Sequence, residues 1–82
     1  MITVYVLKSL VSSIYYTGMT QHIENRLLEH NSGKSKFTSG HMPWSIVYTE
    51  LQPDWATARI REKYFKSTAG KNWLRKNIFK EV

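Results

Sequence analysis

The chain opens on a dense apolar run. ITVYVLKS at 2–9 alternates β-branched and aromatic residues and predicts a strand. A second strand is predicted over SIYYTGM at 13–19, close enough to form a hairpin whose turn centres on Leu10-Val11. That turn sets Tyr5 opposite Tyr16 on one sheet face, because side-chain direction alternates with period two. Gly18 in the second strand has nothing to pack and marks a bulge or a close backbone approach. The period then changes: Ile23, Leu27 and Leu28 form the apolar stripe of a helix from about Gln21 to Asn31, capped by Thr20 and stopped at Gly33. Arg26 and His30 stand one turn apart on one face of it.

Residues 32–43, SGKSKFTSGHMP, read as a loop, and WSIVYTE at 44–50 as a third strand. Pro53 suits a first helical position, with Asp54 behind it and the helix running to about Ser67. Gly70 then breaks the chain before a short helix over 71–79. The order ββαβαα predicts an α+β fold, a small three-stranded antiparallel sheet flanked by helices, in a single domain over 1–82. A domain of this size buries only roughly 60–65% of its chain surface, so most large apolar residues are needed for packing.

Charge changes the picture. Twelve Lys and Arg oppose six acids, for a net +6. Between Arg59 and Lys80 run Arg59, Arg61, Lys63, Lys66, Lys71, Arg75, Lys76 and Lys80, opposed only by Glu62. Such a surface suits a polyanion, and the interleaved aromatics favour nucleic acid over a membrane. No cysteine is present, which excludes a thiolate zinc site, and no apolar run is long enough for a membrane span. The expected location is the cytoplasm.

Glu62 is out of place. On a helical wheel it falls in the sector of Trp55, Ala58, Phe65 and Ala69, where a carboxylate needs a cation, a metal or cleft water to compensate it. A salt bridge to a neighbouring arginine is the plainer reading. Arg26 with His30 reads by itself as a pair on the exposed side of a helix, and the tyrosines as packing. His22 and His41 read as surface or loop residues.

Together these positions resemble the GIY-YIG nuclease superfamily. The carriers are TVY at 3–5, YTG at 16–18, Arg26 and His30 on the next helix, and Glu62 on a later one. YTGMTQHIENRLLEHNSGKSKFT is similar to the pattern YIGxTxxLxxRxxEHNxGxxxxT of its small single-domain bacterial group, itself similar to the N-terminal incision domain of the excision-repair nuclease. The first triplet departs from Gly-Ile-Tyr, Thr17 replaces Ile, and Met19 stands where the repair enzymes carry a lysine. Asn72 and Asn77 are both candidates for a late asparagine that some members use.

The resemblance implies phosphodiester hydrolysis with one divalent ion, Mg²⁺ or Mn²⁺, on Glu62. The lone suspicious acid agrees, since two-metal sites need several clustered carboxylates. Arg26 would neutralise the phosphate. Tyr16, Tyr5 and His30 are rival candidates to orient or deprotonate water, and Gly18 is a structural part of the motif. Lys34, Lys36, Lys71, Arg75 and Lys76 would track a nucleic-acid backbone, DNA by preference, with a targeting protein as a further expected partner. The alternatives are a non-catalytic nucleic-acid-binding module on the same fold and a basic interaction domain.

Overall fold

The computed structural model describes residues 1–79; Lys80 of the basic segment lies outside them. Strands β1 (Ile2–Ser9), β2 (Tyr15–Thr20) and β3 (Trp44–Gln52) form one antiparallel sheet in the order β2-β1-β3. Helices α1 (Ile23–Asn31) and a short α2 (Lys36–Ser39) separate β2 from β3. After β3 come α3 (Trp55–Lys66), α4 (Thr68–Leu74) and a π-helical turn, Arg75–Phe79.

The central strand is buried on both faces, which explains its nearly unbroken apolar run. Ile2, Val4 and Val6 pack with Ala58, Phe65 and Leu74 of α3 and α4. Tyr5 and Leu7 point the other way, onto Trp44, Ile23 and Leu27. A bulge between Val6 and Leu7 in the β1–β3 pairing turns both Val47 and Tyr48 of β3 toward the α3 side.

The hairpin register differs from the sequence expectation. Tyr5 faces Gly18, and Tyr16 faces Leu7, so the connection is longer than a turn centred on Leu10-Val11. Ser9 sets it: its Oγ accepts from the Val11 and Ser12 amides at 3.2 and 3.1 Å and donates to the His41 carbonyl at 2.7 Å. The shift is two residues, an even number, so Tyr5 and Tyr16 still share a face.

Helix boundaries move for local reasons. Thr20 Oγ1 accepts from the His22 amide in a turn before α1, whose N-cap is His22 and whose first residue is Ile23. Asp54 is extended and caps α3 by accepting from Thr57 N at 2.9 Å, so Pro53 precedes the cap instead of starting the helix. The expected loop at 32–43 contains α2, held by Ser35 as an extended N-cap. Ser67, not Gly70, separates α3 from α4; it ends the first and caps the second, accepting from Gly70 N at 3.2 Å.

Gly70 sits inside α4 for a steric reason: a Cβ there would overlap the Tyr64 carbonyl. Arg61 fastens α3 to β3, donating through Nε and Nη2 to Glu50 at 2.7 and 3.1 Å while its guanidinium lies over Tyr64 and Phe65. Burial raises the Glu50 pKa, but the bonds from Arg61, Tyr48 and Gln52 outweigh it and hold the carboxyl below its ordinary value. Gly70→Ala should cost about 1–3 kcal/mol by overpacking, whereas Gly40→Ala, with nothing within 4 Å of its Cβ, should be neutral or slightly stabilising. Urea unfolding of the two variants checks this; equal midpoints would contradict the tight α3–α4 junction.

Candidate active site

Register and helix placement bring three candidate residues into contact. β1 supplies Tyr5, β2 supplies Tyr16, and the last turn of α1 supplies His30. The Tyr5 hydroxyl lies 3.0 Å from His30 Nε2, and His30 Nδ1 lies 3.0 Å from Thr38 Oγ1 on α2. His30 is fully buried, not on the exposed side of its helix as the sequence suggested. A neutral imidazole has one donor and one acceptor, so either tautomer satisfies both contacts. Burial first, and the Arg26 cation second, push the His30 pKa down, with Glu29 opposing them. The imidazole is therefore neutral near pH 7.

Tyr5 is 1% exposed, and burial pushes its phenol up to about 12. Arg26 pulls the other way, acting on the hydroxyl as donor and as charge, while Tyr16 and Glu62 add to the rise. This phenol holds its proton. Gly18 makes room for it, because a Cβ at that position would stand 2.5 Å from the Tyr5 hydroxyl. Displacing the ring would break the His30 contact, so the close approach expected at Gly18 is of a side chain. Tyr16 lies 4.8 Å from the His30 ring and 6.3 Å from the Tyr5 ring, between centroids. It is only partly buried, and its hydroxyl has no hydrogen-bond partner among the described residues.

Arg26 is one-third exposed and bonds Glu29 at 3.0 Å. Glu62 makes no direct bond to the two phenols or to Arg26 among the described residues; it reaches Tyr5 through space. Its side chain is 14% exposed, flanked by Arg59 at 3.7 Å and Lys66 at 3.6 Å. The apolar stripe around it is narrower than the wheel implied: Ala58 and Phe65 are buried, Trp55 is half-exposed, and Ala69 belongs to the next helix and is exposed. Both flanking distances exceed hydrogen-bond length, so the carboxylate oxygens keep lone pairs for another cation. Among the described residues no three His, Cys, Asp or Glu side chains converge on one point. The donor set thus fits a hydrated divalent ion on one carboxylate, the arrangement Mg²⁺ accepts, and does not fit a dedicated cage.

Beside the phenols, a groove of about 600 Å³ follows the free edge of β2. Tyr16, Phe37 and Phe79 supply apolar wall, and Lys66, Lys71 and Arg75 supply charge. Of the basic residues expected to track a backbone, Lys71 and Arg75 line this groove; Lys34, Lys36 and Lys76 are exposed outside its wall.

Thr38 was missed by reading residue types. It is fully buried, bonds His30, and its carbonyl accepts from Trp44 Nε1 at 2.9 Å. Its signal was present as the final threonine of the pattern matched by residues 16–38. Asn31, from the same pattern, clasps the start of β3, accepting from Trp44 N at 2.6 Å and donating to Trp44 O at 3.2 Å. His22 is exposed, as expected. His41 is partly buried, with Nδ1 3.2 Å from Ser12 Oγ and its ring against Phe37 and Trp44.

The chain is similar to several known proteins. A UPF0213 protein of Bacillus cereus is 47% identical over 53 residues, which cover 63% of this chain and 55% of that protein. The UPF0213 protein NP_0776A of Natronomonas pharaonis is 40% identical over 65 residues, 78% of this chain and 75% of that one. The chain spans about half the length of the Bacillus cereus relatives it matches. The solution NMR structure of the UPF0213 protein BH0048 from Bacillus halodurans, 33% identical, aligns with a TM-score of 0.54 over 90% of this chain and 82% of that chain. The family described as the GIY-YIG catalytic domain matches residues 1–77, and the chain belongs to that family.

Proposed function

We propose that the protein is a divalent-metal-dependent endonuclease that hydrolyses phosphodiester bonds in DNA. The observation that carries this reading is the meeting of Tyr5, Tyr16 and His30 at one point, with Arg26 acting on the Tyr5 hydroxyl, beside a cationic groove. Membership of a nuclease domain family supports it, and divalent metal is general in that family.

Hydrolysis of a phosphodiester needs charge neutralised on the non-bridging oxygens, an oriented water and help for the leaving oxygen. Arg26 supplies a forked cation for the first. Two of the three rival bases are poorly suited to the second. Tyr5 keeps its proton to about 12, and His30 is fully buried with both nitrogens engaged. Tyr16 remains, only partly buried and with no hydroxyl partner among the described residues, as the residue that orients the attacking water. Tyr5, sealed and protonated, braces the site through its contacts with His30 and Arg26. Glu62 would hold one Mg²⁺ or Mn²⁺ ion, which would supply electrostatic stabilisation of developing negative charge. Lys71 and Arg75 hold the backbone without reading bases. An accessory protein would select the site of cutting. No helix among the described residues is long and apolar enough to cross a membrane.

Arg26→Ala, Glu62→Gln and Tyr16→Phe should each lower metal-dependent nicking of supercoiled plasmid by about 100-fold or more, with circular dichroism unchanged. Full activity in any one of them removes that residue from the mechanism. Salt-dependent binding without nicking across Mg²⁺, Mn²⁺, Co²⁺ and Ni²⁺ would favour the non-catalytic binding module instead.

The clamp role of His30 has its own test. Its folded pKa lies below the ordinary value of about 6.5, so the unfolded chain takes up the proton first as pH falls. Its contribution to stability is full above pH 6.5 and is lost below it, at up to about 1.4 kcal/mol per pH unit for one proton. Urea unfolding between pH 7 and 5 should show this acid slope reduced in His30→Gln. Identical slopes in the two proteins would mean that His30 is not held neutral.

A further inference from the structure

Lys66 belongs to two arrangements at once. Its Nζ lies 3.6 Å from Glu62 Oε2, one helical turn back on α3, and its side chain forms part of the wall of the groove along β2. Arg59 flanks the same carboxylate from the other side, Nε to Oε1 at 3.7 Å, but is not part of that wall. Glu62 is therefore shared between one cation that faces the groove and one that does not. Lys66 is about half exposed and Arg59 more so, and neither makes a directed hydrogen bond to the carboxylate. Each pair is a weak, solvent-screened attraction that a competing charge can draw apart.

Resting on the nuclease reading above, we infer that Lys66 is a charge gate: its ammonium lowers the affinity of Glu62 for a divalent cation until a nucleic-acid phosphate in the groove draws it away. An ammonium about 4 Å from a carboxylate and a divalent ion on that carboxylate repel each other. A phosphate backbone against Lys71 and Arg75 gives Lys66 a better partner within reach of its flexible four-carbon stem. Its departure restores the negative potential at Glu62 just when substrate is present. By linkage, the metal must then strengthen nucleic-acid binding by the same factor. Arg59 also weakens the cation site but has no phosphate to move to, so it sets a constant offset. Lys66 is a positioning residue in this scheme, acting through Glu62 and touching no reacting atom.

The test compares Lys66→Met and Arg59→Met with the native protein and with Glu62→Gln. Mn²⁺ affinity is read by electron paramagnetic resonance, with and without a phosphorothioate-linked DNA oligonucleotide that resists cleavage. Native protein should bind Mn²⁺ weakly alone and several-fold more tightly with the oligonucleotide. Without it, both Met variants should bind Mn²⁺ about three- to tenfold more tightly than native. The oligonucleotide should then add clearly less in Lys66→Met, and its full native increment in Arg59→Met. Glu62→Gln should lose the site in every condition. Lys66→Met matching native in both affinity and increment overturns the gate, as does Arg59→Met losing the increment equally. The coupling without any nicking by native protein would support the gate while sinking the hydrolytic reading. Native protein that binds no Mn²⁺ even with the oligonucleotide would overturn the gate together with the metal site.

Discussion

The buried hydrogen-bonded chain Tyr5–His30–Thr38 is the constraint on which the arrangement depends. It joins the central strand to α1 and α2 with two contacts of 3.0 Å. Three polar side chains sealed from water are tolerable only because each finds a partner. Their mutual satisfaction dictates where the helices stand: α1 must end with His30 over the sheet, and α2 must bring Thr38 under it. Trp44 then closes the layer, tied to α2 by its indole and to α1 by Asn31. A short helix whose N-cap Ser35 makes no side-chain capping bond is tied to the sheet through one imidazole.

Burial differentiates the tyrosines. Both lie on the same sheet face, 6.3 Å apart, yet one is sealed and the other opens on the groove. Desolvation keeps the first neutral across the physiological range. The sealed phenol braces His30, while the half-exposed one can meet water. Glu62 acts on Tyr5 from α3, through space and not through a bond.

Much of this was legible in the order of residues. The sheet, its three strands and the two principal helices follow from local periodicity, and the shared face of Tyr5 and Tyr16 survives a register error because the error was even. The boundaries were less legible, since Thr20, Asp54 and Ser67 each offer an oxygen that can serve more than one turn, and packing chooses among them. His30 was misjudged as surface because a helical wheel shows spacing but not which side meets the sheet. Thr38 had no chemical signal of its own; its importance comes from standing next to a histidine eight residues away.

The sequence by itself determined the α+β element order, the basic character of the surface and the membership of Tyr5, Tyr16, Arg26, His30 and Glu62 in one family pattern, because these depend on residue type and short-range spacing. Only the tertiary structure decided that His30 is sealed while Tyr16 is open, that Lys71 and Arg75 but not Lys34, Lys36 or Lys76 face the groove, and that Lys66 stands between groove and carboxylate. Burial and through-space charge are properties of neighbours brought together by folding. No window of the chain contains them until β1, α1 and α3 have packed.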